Sequence, residues 1–138
     1  MNAFRGVLMA AVLSAALAAC NSGKAPGEAP APAPVSGAPA QLREGFMTDK
    51  KGMMLYVFNK DAAGSGKSVC TGACARSWPP FLADAQAHGV GDWSVITRDD
   101  GAKQWAYKGK PTYYWSKDRK PGDKFGDNFK DIWHVIVK

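Results

Sequence analysis

Tyr56-Val57-Phe58-Asn59-Lys60-Asp61 and Tyr113-Tyr114-Trp115-Ser116-Lys117-Asp118 are the two stretches whose comparison decides the fold. Aligned, both read Tyr, any residue, an aromatic ring, any residue, Lys and Asp. A Trp follows each copy at similar spacing, Trp78 after Asp61 and Trp133 after Asp118. The chain therefore holds two similar units of roughly 55 residues. In an extended segment the Tyr and the second aromatic, two residues apart, lie on one face of the strand. The Asp falls just past the strand, where its carboxylate can accept backbone N–H groups and close a turn. A strand ending in an Asp-capped turn accounts for Tyr56, Phe58, Asp61, Tyr113, Trp115 and Asp118 alike; a binding or catalytic use of the same residues is the alternative.

The segments around the motif read mainly as strands. Phe46-Met47-Thr48 and Leu55 to Phe58 flank the polar Asp49-Lys50-Lys51-Gly52, the pattern of a hairpin. Trp93 to Arg98 and Lys103 to Tyr107 flank Asp99 to Ala102 in the same way. Thr112 to Trp115 follows a Gly109-Lys110-Pro111 turn, and Ile132 to Val137 forms a last strand. One short helix is expected near Gly72 to Ser77, stopped by Trp78-Pro79-Pro80. The expected fold is a small, mainly β domain with antiparallel, meander-like pairing, built from two similar repeats with one short helix near a cysteine pair.

Composition divides the chain into three parts. Residues 1–19 carry Arg5 and then an apolar run from Gly6 to Ala19, the pattern of a secretory signal. The run is shorter than the ~18 to 20 residues a membrane-spanning helix needs. It ends Leu17-Ala18-Ala19-Cys20, which resembles the lipobox of bacterial lipoproteins, where the cysteine receives a diacylglyceryl group and further acylation such as palmitate. Two or more acyl chains suffice for stable membrane attachment. The resemblance makes Cys20 the lipidation site, and Asn21 in place of an Asp implies the outer membrane in a cell that has one. Residues 20–40 hold five of the nine prolines and can build no core, so they read as an extended Pro/Ala tether. Residues 41–138 contain 14 of the 15 aromatic residues and form the folded domain.

The lipobox, the tandem Tyr-x-aromatic-x-x-Asp units, Cys70-Thr71-Gly72-Ala73-Cys74-Ala75 running into Trp78-Pro79-Pro80, and Asp100-Gly101 before Gln104-Trp105 together resemble the bacterial lipoproteins built from a "secreted repeat of unknown function". The resemblance spans the mature domain. It implies a secreted or surface lipoprotein and assigns no catalytic residues.

With Cys20 taken by lipid, Cys70 and Cys74 remain as an even pair in an oxidising compartment. On a helical or turn-like segment, residues four apart bring their Cα atoms within disulfide range. The competing use is thiol-disulfide exchange or a metal thiolate, although the spacing exceeds Cys-x-x-Cys by one residue. Met47, Met53, Met54, His88 and His134 supply groups that suit copper, yet the histidines show no ligand spacing; Met54 is expected in the core and Met53 at the surface. Asp118, Asp123, Asp127 and Asp131 lack the offsets of an EF-hand and alternate with lysines, so they read as a solvated, turn-rich loop. No nucleotide-binding, metalloprotease or nucleophile-elbow motif occurs, and neither a cofactor nor catalytic residues are expected.

The net charge is +6 from 18 Lys+Arg and 12 Asp+Glu. From Lys103 onward nine basic residues face four Asp, interleaved with Trp105, Tyr107, Tyr113, Tyr114 and Trp115. In an exported protein this excess points to anionic lipid headgroups or envelope polymers rather than nucleic acid, or to an ordinary solvated face. The expectation is a lipid-anchored, non-catalytic binding or structural module of the cell envelope. An envelope redox or copper-handling protein using Cys70/Cys74 and the Met/His set is the runner-up.

Overall fold

The structure, a computed structural model, describes residues 37–138; the signal segment, Cys20 and most of the tether lie outside the described residues. The elements are β1 (Ala40–Arg43), β2 (Phe46–Asp49), β3 (Tyr56–Phe58), α1 (Ala73–Ser77), β4 (Trp93–Thr97), β5 (Lys103–Tyr107), β6 (Lys110–Tyr113) and β7 (Trp133–Val135). β1 and β2 form a two-stranded sheet, and a five-stranded sheet runs β4-β5-β6-β3-β7. Every strand pair is antiparallel. The fold is the mainly β one expected from the sequence, with its single short helix beside Cys70 and Cys74.

Two-residue turns set the registers. Glu44-Gly45 joins Arg43 to its partner Phe46, and Lys108-Gly109 joins Tyr107 to Lys110, with positive φ at both central residues in each. That is the turn geometry whose twist matches a hairpin. α1 is only five residues long and has no side-chain cap. Trp78 N–H closes it onto the Cys74 carbonyl, and the two prolines that follow prevent its extension.

The two repeats superimpose in their hydrogen bonds. Each consists of a hairpin (β1–β2; β4–β5), a Tyr-bearing strand (β3; β6), a loop, and a return segment starting at the repeat's Trp. The return segments are exchanged. Trp78 to Leu82 of the first repeat lies against the second: Phe81 N donates to Thr112 O, Tyr114 N to Pro79 O and Trp105 N to Phe81 O, at 2.9, 2.7 and 2.9 Å. Trp133 to Val137 lies against the first: Ile136 N donates to Leu55 O and Met47 N to Ile136 O, at 3.1 and 2.8 Å, and His134 pairs with Val57. Each repeat thus finishes the sheet of the other.

This exchange alters three local expectations. Phe46 to Thr48 does fold back on the chain, with Leu55 N donating to Met47 O, but the contact is a single bridge between Thr48 and Met54. The ladder partner of β2 is β1, while β3 gives its two edges to β6 and β7. Only β4-β5-β6 is a meander, because β3 is inserted between β6 and β7. Lys110 and Pro111 belong to β6 rather than to the turn, and Ala40 belongs to β1 rather than to the tether.

The sheet separates two cores according to the period of two. Tyr56, Phe58, Tyr113, Trp133 and Val135 face one cluster with Met54, Cys70, Trp78 and Trp115; Leu55 and Ile136 face the other with Met47, Phe81, Trp93 and Trp105. At the centre of the first cluster four rings form a column: Phe58, Trp133, Trp78, Trp115. Successive centroids are 4.2, 3.8 and 4.1 Å apart. The rings alternate between repeats, and Tyr56 and Tyr113 abut Trp78 and Trp133 edge-on at 5.4 and 5.1 Å. Such pairs contribute ~0.5 to 1.5 kcal/mol each beyond area burial.

Gly126 backs this column. A Cβ there would meet the Trp78 ring at 2.7 Å and Trp115 at 3.0 Å. Gly126→Ala is therefore expected to destabilise the protein by about 1 to 3 kcal/mol in denaturant unfolding, the usual cost of overpacking. An unchanged midpoint would contradict the packing described.

Candidate functional site

The repeat motif residues converge in one place, and they bond across the repeats. Tyr56 Oη donates to Asp118 Oδ2 at 2.6 Å, and Tyr113 Oη donates to Asp61 Oδ2. The second oxygen of each carboxylate holds its own loop: Asp61 Oδ1 accepts Val69 N at 2.7 Å and Asp118 Oδ1 accepts Phe125 N at 3.0 Å. Gly126 N donates to Tyr56 Oη, and Ser68 Oγ lies 2.6 Å from Tyr113 Oη. Both tyrosines are fully buried, and Asp61 and Asp118 are nearly so. The carboxylates do cap loops, as the sequence implies, but loops of seven and eight residues, each pinned to the other repeat.

Electrostatics follow from this burial. Desolvation, reinforced by the neighbouring carboxylate, pushes the Tyr56 and Tyr113 hydroxyls well above their ordinary range. Desolvation also raises the Asp118 carboxyl, opposed by the hydrogen bonds from Tyr56 and the Phe125 amide. The tyrosines are locked donors. No member of the quartet has a free, exposed atom to offer a substrate.

A buried cation extends one end of the network. Arg98 Nη1 donates to Ser68 Oγ at 3.0 Å and to Gln104 Oε1 at 2.8 Å, and Nη2 donates to Cys70 O at 2.7 Å. Gln104 Nε2 in turn donates to Thr112 O, and Thr112 Oγ1 to Trp105 O. Arg98 thus touches neutral acceptors and reaches Asp61 only through Ser68 and Tyr113. Removing any one partner would strand a buried polar group, which is far costlier than the bond's net contribution.

Cys70 and Cys74 are disulfide-bonded, with Cα atoms 5.2 Å apart. Closing so short a loop stabilises by about 2 kcal/mol in the chain-entropy model. Cys70 is completely buried in the aromatic cluster while Cys74 is partly buried against it. Such a sulfur is poorly placed for exchange with an incoming thiolate. Around the copper candidates, Met47 and Met54 are core residues, Met53 is half-buried and His88 is exposed. His134 has both ring nitrogens engaged, Nδ1 with Asn128 Oδ1 and Nε2 with Asn59 Nδ2, each at 3.1 Å. Among the described residues no group of three or more His, Cys, Asp or Glu is arranged to hold a metal ion.

Two further expectations change. The Asp series is not simply a solvated loop: Asp118 and Asp123 are buried, and Asp123 Oδ2 accepts Arg119 N and Lys120 N while Asp127 Oδ1 accepts Val135 N. Backbone amides occupy these carboxylates. The aromatic residues of the basic half do not interleave with its lysines on a surface either, since Trp105, Tyr113 and Trp115 are buried. An open groove of about 360 Å³ runs between Val57, Tyr107, Lys108, Lys110, Ile136 and Val137, away from the motif residues.

The cross-repeat pairing is expected to be measurable as coupling. Tyr113→Phe should cost about 1 to 3 kcal/mol by leaving the Asp61 oxygen unsatisfied, and a double-mutant cycle with Asp61→Ala should return a coupling of roughly 1 to 3 kcal/mol. The same holds for Tyr56 with Asp118; additive effects in both cycles would contradict the bonds.

High pH gives a second check. Both tyrosine hydroxyls are raised in the folded protein, so from about pH 10, where the unfolded chain begins to lose these protons, the folded state binds more protons than the unfolded one. Stability should be pH-independent with respect to these groups below pH ~9 and fall above ~10, by up to ~1.4 kcal/mol per pH unit for each tyrosine. Tyr56→Phe should flatten the alkaline limb of the unfolding midpoint; an unaltered limb would count against the assignment.

Three signals escape the sequence. The motif shows that Tyr and Asp recur together but not that each Tyr bonds the other repeat's Asp. Arg98 and Gln104, buried at one end of the network, look like ordinary strand and turn residues. The return segment Trp78 to Leu82 is hidden by its two prolines.

Comparison with known proteins agrees with this geometry. Residues 45–82 and 94–137 each match the family model described as a secreted repeat of unknown function. Searches of curated proteins and of solved structures yield no match. The first match begins after β1 and the second within β4, each running through the Tyr-bearing strand and the return segment, and the chain belongs to the family of the secreted repeat of unknown function.

Proposed function

We propose that this protein is a lipid-anchored module of the cell envelope that binds or braces rather than catalyses. The observation that carries this reading is where the motif residues point. Tyr56, Asp61, Tyr113 and Asp118, the residues that define the repeat, satisfy one another inside the core. The repeat therefore encodes a rigid head, and the chemistry left for partners lies on its surface. The family is a secreted one, which agrees with an extracellular or envelope location.

Attachment follows from the lipobox-like Leu17-Ala18-Ala19-Cys20, with residues 20–40 as the spacer and the outer membrane as the destination in a diderm cell. Partners would be envelope proteins or anionic envelope surfaces. The redox and copper alternative draws no support from the geometry, because Cys70 is buried, Met47 and Met54 are core residues, and both nitrogens of His134 are already bonded.

Labelling cells with radioactive palmitate should mark the protein and leave it in the membrane fraction. Cys20→Ala should abolish the label. A mature protein that begins after Ala19 with a free, unlabelled Cys20 would overturn the anchoring.

A further inference from the structure

The two loops closed by the exchanged carboxylates stand over one face of the five-stranded sheet. Tyr56 and Tyr113 are direct cross-strand partners, so their side chains leave the sheet on the same side. Each hydroxyl reaches the Asp of the other repeat, and each Asp fixes the backbone of a loop crest, Val69 in the first repeat and Phe125 in the second. These equivalent crest residues are 58% and 70% exposed, so each loop presents a large apolar side chain to solvent.

Of the charges around the second crest, the exposed ones are basic, while Asp127 is half-buried with its Oδ1 accepting Val135 N. Lys117, Arg119, Lys120 and Lys124 are all exposed. The two acids among them, Asp118 and Asp123, are buried, their oxygens taken by Tyr56 and by the amides of Arg119, Lys120 and Phe125. Lys124 lies with its Nζ 4.3 Å over the Phe46 ring, which leaves the other three cations free of aromatic contact. In the first loop Lys67, also exposed, precedes Val69 by two residues.

A soluble polyanion would explain the cations but not an exposed Phe at their centre. An anionic bilayer explains both, because each Lys or Arg near such a surface contributes ~1 kcal/mol while the ring enters the headgroup layer and leaves water. We propose that the Phe125 loop forms a docking surface for an anionic lipid bilayer, with Phe125 inserted and Lys117, Arg119 and Lys120 at the phosphates. The inference rests on the envelope reading but not on acylation of Cys20. Its consequence is that the head lies on the membrane in a fixed orientation instead of swinging at the end of its tether.

The test uses the full chain carrying Cys20→Ser and Phe125→Cys, with the Cys70–Cys74 disulfide kept oxidised and an environment-sensitive fluorophore placed on Cys at 125. With vesicles of phosphatidylcholine and phosphatidylglycerol the emission should shift to the blue and rise several-fold. Phosphatidylcholine vesicles, or high salt, should give little change, and Arg119→Glu with Lys120→Glu should abolish the response. No shift on anionic vesicles, an equal shift on neutral ones, or the same shift with soluble polyphosphate would overturn the proposal. Since the probe chain cannot be acylated, a negative result here leaves the palmitate experiment to decide anchoring independently.

Discussion

Two hydrogen bonds, Tyr56 to Asp118 and Tyr113 to Asp61, impose the constraint on which the rest of the structure depends. Each donor lies on a strand of one repeat and each acceptor at the loop base of the other. A repeat folded alone would bury a tyrosine hydroxyl without its acceptor and leave a carboxylate without its donor. Unsatisfied buried groups cost more than satisfied ones return. The two repeats are therefore obligate partners, and the exchange of the return segments Trp78 to Leu82 and Trp133 to Val137 follows the same logic in backbone form.

Size explains why the exchange takes so strong a form. A domain of about 100 residues buries a modest fraction of its surface, and its strands are only three to five residues long. Strands so short make few ladder bonds, so side chains must supply the cooperativity. The four-ring column does this by alternating repeats at every step, so that separating the units would break every stacking contact in it. The disulfide secures α1, which at five residues could not hold itself.

The fold class and the repeat were legible because they rest on local patterns: aromatic residues at period two, polar turns between them, and the recurrence of Tyr, Lys and Asp. Both hairpins closed by two positive-φ residues were harder to place. Glu44 and Lys108 stand where Asn or Asp would have announced the turn, and only the following glycines give it away. Which edge of a strand meets which partner was not legible at all, since Leu55 to Phe58 carries the same alternation whether it pairs with β2 or with β6 and β7. The motif residues form a recognisable set in the sequence, yet their bonding crosses 52 and 62 positions and has no local signature. Arg98 was invisible for a related reason, because its side chain bonds Ser68 and Cys70 across 30 and 28 positions of sequence as well as the nearby Gln104.

The pseudo-twofold relation also separates what is scaffold from what differs. Positions that obey it include the tyrosines, the aspartates and the stacked rings, all of them buried. Positions that break it occur both inside and outside: Cys70 and the Arg98–Gln104 pair are buried, whereas α1 holds no buried residue. The first repeat has Cys70, Cys74 and α1 where the second has Gly126, Phe129 and a string of turns, and Trp78 N and Trp133 N donate to the equivalent carbonyls of Cys74 and Phe129. Charge follows the same division: residues 41–102 carry seven basic and seven acidic side chains, whereas residues 103–138 carry nine and four. The exposed part of the asymmetry, the lysines of the second loop, is free to vary while the paired tyrosines and aspartates hold the frame unchanged.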